Sequence, residues 1–281
     1  MGDTKTTIAP WKMIAELWNT WFTTPSSVSK DEAKKYREWL EKLDKKKALV
    51  LGVTPEIREP LAEFNYETTC VDINPEMVKA MDSVLKQKNP NETIVIENWL
   101  DNSLKDNEFD IVLGDAVLPN VKWRDRKKLL SEVARVLKPE GLFVTRAFCV
   151  PREKTFKDVD EIFEHFARRE PNYENALKFT LEIQILFYNP EDHEGTFIKS
   201  KEVLEKLRKD DKFHFESDNL NKLLEMVWGF WCQKYVDKIY LYAYRDDEEQ
   251  EYKEFFDIVE IYEAGDNEYA SITPMYILKK R

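Results

Sequence analysis

The sequence predicts an α/β fold, a doubly wound and mostly parallel seven-stranded sheet with an antiparallel terminal hairpin and a helical insertion. Three observations predict it. Short apolar runs alternate with amphipathic stretches between residues 48 and 148, the pattern of parallel strands joined by crossovers. After Pro151 the alternation stops for roughly a hundred residues of helical pattern, far beyond an ordinary connection. Two more apolar runs near the C-terminus flank Gly265-Asp266-Asn267, which reads as a hairpin turn.

Taken in order, residues 1–46 form an N-terminal helical lid. Ile8 to Phe22 carries an aromatic-rich apolar face, Pro25-Ser26-Ser27 breaks it, and Asp31 opens a second helix through Leu43. Residues 47–150 form the core, with strands at Ala48–Gly52, Thr68–Asp72, Thr93–Glu97, Phe109–Gly114 and Leu142–Phe148. Helices near Glu56–Phe64, Pro75–Gln87 and Arg124–Leu137 join them, and a doubly wound sheet is the economical topology. Residues 151–250 form a helical insertion, with helices at Phe156–Arg169, Asn172–Phe187, Ser200–Lys209 and Asp218–Val236. Residues 251–281 complete the sheet through Phe256–Glu263 and Ser271–Lys279, where Pro274 sits awkwardly because proline interrupts a strand ladder.

Composition narrows the function. A chain of 281 residues with 42% hydrophobic residues buries a substantial core, and its net charge of −11 argues against nucleic acid as the main partner. No run reaches the roughly 18 apolar residues of a membrane span. Lys12, Glu16 and Asn19 interrupt the N-terminal aromatic stretch that would have to serve as a signal peptide. Cys70, Cys149 and Cys232, with three scattered histidines, have neither disulfide nor metal-ligand spacing. A reducing cytoplasm and no metal are the expectations; the oligomeric state is left open.

The strand ends carry the chemistry. Gly52 closes the first strand where the chain turns tightly and a ligand can approach. Asp72 closes the second, where a carboxylate either accepts both hydrogen bonds of a ribose diol or caps the following helix. Asp115 follows the fourth strand at the carboxyl edge of the sheet. It either takes part in the reaction by holding or deprotonating an acceptor, binds a cofactor ammonium, or caps a turn. Arg146, inside an apolar strand, either forms an internal ion pair with Asp115 or Asp72 or binds an acidic substrate group. Trp11, Trp18, Trp21 and Phe22, with Trp228, Phe230 and Trp231, either pack as core or wall off a site, with Trp18 the substrate-side candidate.

These residues resemble the class I S-adenosylmethionine-dependent methyltransferases from about Ala48 to Phe148, and the terminal hairpin fits that fold. The resemblance places Leu51-Gly52-Val53-Thr54-Pro55-Glu56 under the cofactor's methionine part, so that Gly52, Thr54, Pro55 and Glu56 line it. It places Asp72 on the ribose, Ile73 against adenine, and Asn98-Trp99 at the adenine edge. Phe109 to Asp115, ending in Gly114-Asp115, matches the strand beneath the methionine, and Arg135 to Gly141 matches the helix end and turn into the fifth strand. The pattern departs from the family where Val50 replaces an acid and Thr54 and Glu56 replace glycines, a variant turn that suggests a separate branch. Glu56 there either pairs with the methionine ammonium or caps the next helix.

The resemblance implies methyl transfer from S-adenosylmethionine to a nitrogen or oxygen of a small-molecule acceptor. The insertion would shape the acceptor pocket. An aminopropyl-type transferase on the same fold is one rival, and a non-catalytic cofactor-binding protein is another. A nicotinamide enzyme is disfavoured, because no Gly-x-Gly-x-x-Gly follows the first strand.

Overall fold

A computed structural model describes residues 15–18, 20, 22–44, 47–232 and 242–281, with residues 194–197 as backbone only. Trp11, Trp21 and most of the first expected helix lie outside the described residues. Helix α1 (Lys30–Lys42) starts at a capping box in which Ser29 and Glu32 satisfy each other's main-chain amides. The core then runs β1 (Lys47–Leu51), α2 (Pro55–Glu63), β2 (Glu67–Val71), α3 (Pro75–Asp82), β3 (Glu92–Val95), β4 (Phe109–Asp115), α4 (Arg126–Val136) and β5 (Leu137–Arg146). With the C-terminal strands β8 (Phe256–Tyr262) and β9 (Met275–Lys280), the sheet order is β3-β2-β1-β4-β5-β9-β8. All pairs through β5 are parallel, and β9 pairs antiparallel with both β5 and β8.

Register decides where the site lies. Leu51 pairs with both Val71 and Gly114, and Asp115 pairs with Arg146. The carboxyl ends of β1, β2, β4 and β5 therefore finish at one level, and the residues that follow them share one edge. The central strands are buried on both faces, as a sheet covered on each side requires. Alternate residues of β1 divide between two cores: Ala48 and Val50 face one, Leu49 and Leu51 the other.

The insertion supplies α5 (Val159–Ala167), α6 (Tyr173–Phe187), α7 (His193–Leu207) and α8 (Asp218–Val227), followed by a π-turn over Trp228–Cys232. Helix α6 is its centre, with Leu181 through Ile185 all buried. Phe179 and Ile183 join the core that also contains Tyr36 of α1, Ile57 of α2 and Val50 of β1. N-terminal segment, sheet face and insertion thus share one apolar core. Two short strands, β6 (Cys149–Val150) and β7 (Ala243–Tyr244), pair in parallel and close the base of the insertion. Helix α9 (Arg245–Lys253) then leads into β8.

Several boundaries differ from expectation. Strand β5 starts at Leu137, five residues earlier than the apolar run predicts, because Leu137 pairs with Phe109 and the expected turn is a bulge with Glu140 at φ 64°. Helix α3 ends at Asp82 instead of Gln87, and α7 begins at His193 instead of Ser200. Helix α9 forms where the pattern predicts no element. Pro274 precedes the last strand, and its carbonyl accepts from the Ala147 amide at 2.9 Å, so no ladder bond is lost. Among the described residues, no helix is long and apolar enough to cross a membrane.

Candidate functional site

The edge is built from the turn outward. Gly52 sits at φ +95°, a conformation that side-chain-bearing residues rarely adopt, and its amide donates to the Val71 carbonyl at 2.8 Å. The same carbonyl accepts from the Trp99 indole Nε1 at 2.7 Å, which anchors the segment after β3 to the end of β2. A Cβ on Gly52 would lie 3.7 Å from Trp99 Cζ2 and 3.9 Å from Asp72 Oδ2. Gly52, Asp72 and Trp99, distant in sequence, therefore meet at one point.

Asp72 is 5% exposed, and its Oδ1 accepts from the Asn74 amide at 2.7 Å. Asn74 is the cap of α3, accepting from Glu76 and Met77, so Asp72 does not serve as the cap. Ile73 beside it is 39% exposed, one of the few large apolar side chains on the surface. Asn98 Oδ1 accepts from the Leu100 amide at 2.9 Å and shapes a local turn; an amide oxygen keeps a second lone pair.

Thr54 precedes α2 without a side-chain capping bond, and Pro55 occupies the first helical position, where its missing N–H costs nothing. Glu56 follows. Its Oε1 accepts from Trp18 Nε1 at 2.9 Å, and its Oε2 is buried with no hydrogen-bond partner among the described residues. Burial raises its pKa above the ordinary 4.5, the Asp115 and Glu59 charges add to this, and its own amide and the Trp18 indole oppose it. Trp18 stacks on Phe22 at 5.0 Å, and Phe22 meets Phe230 of the insertion edge-on at 6.0 Å.

Beneath the edge, a Cβ on Gly114 would fall 2.2 Å from Val117 Cγ2, so glycine is required there by space. Asp115 receives Arg146 in a forked pair, Nε to Oδ1 at 2.7 Å and Nη2 to Oδ2 at 3.2 Å. Arg146 is fully buried and also donates to the Pro25 carbonyl at 2.6 Å, with Glu32 Oε2 at 3.5 Å. These contacts engage Arg146 inside the protein. Ala116, next in the chain, turns at φ 50°.

Sequence reasoning missed Glu32 and Tyr36. The Tyr36 hydroxyl donates to the Gly114 carbonyl at 3.0 Å, and Glu32 has its pKa raised by burial against the opposing pull of Arg146. The two are four apart on α1, hence on one helix face. That spacing was the available signal, but it carries no sign of their distant partners Arg146 and Gly114. Among the described residues, no group of His, Cys, Asp or Glu is placed to hold a metal ion.

Residues 51–145 match a family model described as a methyltransferase domain. That span includes the carboxyl ends of β1, β2, β3 and β4 and all of β5 except Arg146. Over those residues the chain carries a methyltransferase domain. Solved structures share its fold over nearly their whole length. A Rhodobacter sphaeroides protein, named provisionally as a zinc-dependent alcohol dehydrogenase, is 16% identical, with 96% of each chain covered and a TM-score of 0.58. A Pyrococcus horikoshii protein is 16% identical, covering 95% of this chain and 99% of its own, at 0.54. The N-methyltransferase NodS of Bradyrhizobium japonicum, solved with S-adenosylhomocysteine, is 10% identical over 96% and 98% at 0.50. At such identities the likeness concerns the fold alone. No curated protein sequence matches the chain.

Within a methyltransferase domain the strand-end residues are suited to the family's cofactor. Glycine at position 52 turns beside a buried carboxylate, an exposed isoleucine follows that carboxylate, and among the described residues a buried oxygen of Glu56 lacks a donor.

Proposed function

We propose that this protein transfers a methyl group from S-adenosylmethionine to a nitrogen or oxygen of a small-molecule acceptor. The observation that carries the reading is the meeting of Gly52, Asp72 and Trp99 at the carboxyl edge within the methyltransferase domain. Bound there, the cofactor supplies a methyl group already activated on a sulfonium.

The chain's own task is then placement and exclusion of water. Asp72 accepts from the ribose hydroxyls, Ile73 covers one face of the adenine, and Asn98 and Trp99 border its edge. The Gly52-Val53-Thr54-Pro55 turn underlies the amino-acid end. Gly114 lets β4 pass close beneath it. Asp115, with both oxygens already receiving Arg146, contributes a fixed negative potential and a shape to the acceptor side. The N-terminal segment and the insertion, joined through Trp18, Phe22 and Phe230, form the cover over the edge.

Calorimetric titration with S-adenosylmethionine and S-adenosylhomocysteine tests the cofactor, with Asp72→Ala expected to weaken both by about tenfold or more through loss of charge-assisted bonds. Methyl transfer to a panel of amines, phenols and carboxylates tests the acceptor. Proven cofactor binding with no transfer to any of them would move the protein to a non-catalytic role. The acidic surroundings of Glu56 also suit a cofactor lacking the carboxylate. Tighter binding of decarboxylated S-adenosylmethionine would therefore favour aminopropyl transfer.

A further inference from the structure

Glu56 is an unusual carboxylate. One oxygen is tied to Trp18, while the other is buried without a hydrogen bond among the described residues. The charges that act on it most strongly, Asp115 and Glu59, are both negative. A buried carboxylate is costly, and the cost is relieved by a proton or by a cation; Lys86 lines the same small cavity as Glu56, Trp18 and Glu59, but among the described residues no cation bonds to Oε2. Glu56 is also the second residue of α2, two positions after Thr54 and four after Gly52. It therefore stands at the amino-acid end of the proposed cofactor site, and not at its nucleoside end.

We infer that Glu56 Oε2 receives the α-ammonium of the cofactor's amino-acid end, and that Trp18 is a positioning residue that holds the carboxylate for it. The inference rests on the cofactor reading above. Trp18 occupies Oε1 with its single indole donor and leaves Oε2 for the ligand. Stacking on Phe22, which in turn packs on Phe230, limits the freedom of the indole, so the carboxylate is set before the ligand arrives. A residue of the N-terminal segment thereby tunes a contact made by the core. The arrangement also explains why a glutamate stands in a turn that the family's pattern fills with glycine.

Two ligands separate this role from a structural one. S-adenosylhomocysteine carries the α-ammonium, whereas 5′-methylthioadenosine shares its nucleoside and thioether and lacks the amino-acid end. Titration of wild type, Glu56→Gln, Trp18→Phe and Asp72→Ala with both is the experiment. Glu56→Gln, which keeps the shape and removes the charge, lowers affinity for S-adenosylhomocysteine roughly tenfold or more and leaves 5′-methylthioadenosine unchanged. Trp18→Phe shifts the ratio of the two affinities in the same direction by a smaller factor. Asp72→Ala weakens both ligands together. Equal losses for both ligands in Glu56→Gln, or no loss for either, overturn the inference and leave the cofactor reading intact. A folded wild type that binds neither ligand overturns both.

Discussion

Arg126 and Arg146 are both fully buried, and each faces two carboxylates. Around Arg126 the polar groups are matched. Its Nη2 donates to Glu248 at 2.8 Å, its Nε to Glu251 at 2.8 Å, and the Tyr252 hydroxyl donates to the other Glu248 oxygen. Around Arg146 they are not. Among the described residues, Glu32 Oε1 has no hydrogen bond, and Glu56, within electrostatic reach of the same Asp115, has an unpaired oxygen too. The first cluster ties α4 to α9 behind the sheet and is complete by itself. The second ties α1 to the ends of β4 and β5 and carries surplus negative charge at the edge proposed to hold the cofactor. Stability alone explains the first; the second has capacity left for a ligand.

The largest effect that tests this contrast is loss of either guanidinium. Arg126→Met and Arg146→Met each leave buried carboxylates without their cation, and each should cost about 3–5 kcal/mol in denaturant unfolding. A mild Arg146→Met phenotype would mean that its carboxylates are already protonated, and the surplus-charge description would fail. Next comes Gly114→Ala. Its Cβ cannot coexist with Val117 at 2.2 Å, so β4 or the following turn must shift, at about 1–3 kcal/mol, with weaker cofactor binding measured alongside.

Glu56→Gln has the next largest effect. Glu56 accepts from neutral donors, the Trp18 indole and its own amide, so its neutralisation should stabilise the ligand-free protein by roughly 1 kcal/mol at pH 7. The sign follows from burial, which raises the folded pKa of Glu56 and of Glu32. The folded state then holds protons that the unfolded state releases. Stability should rise as pH falls from neutral toward the unfolded carboxylate value near 4.5, and fall again as pH rises. The gain in Glu56→Gln should shrink over the same interval, which urea midpoints at about pH 7 and about pH 5 would reveal. Glu268 acts oppositely: hydrogen bonds from Arg169 and Lys178 hold it at about 2, so its contribution is present above about 4.5 and is lost in acid. The smallest effect belongs to Arg152→Ala. Its pairs with Asp246 and Asp247 are exposed and screened by solvent, so the urea midpoint should stay where it is in the wild type.

The sheet was legible because each strand is a short apolar run bounded by a breaker, and Gly52, Asp72 and Asp115 fall at those boundaries. Parallel pairing then brings them to one level with no further information. What failed to show is instructive in the same way. Leu137-Lys138-Pro139 reads as a helix end, since a proline and a glycine follow, yet the chain absorbs both in a bulge and keeps its pairing. Helix α9 is overwhelmingly charged, so it lacks the apolar stripe by which helices are found; Arg126 anchors it from a distant helix. Glu32 and Tyr36 lie in the lid, and their partners Arg146 and Gly114 lie more than a hundred and nearly eighty residues away. Pattern along the chain carries no signal of such contacts.

The two-residue ladder of β6 and β7 gives the insertion a single doorway, because the chain departs and returns through adjacent strands. Connectivity of that kind lets a module be exchanged between proteins by cutting at two neighbouring points. Here the helices beyond the doorway also complete the lining of the sheet. A transplant would have to carry its half of that lining with it, so the insertion and the packing of the sheet face are inherited together.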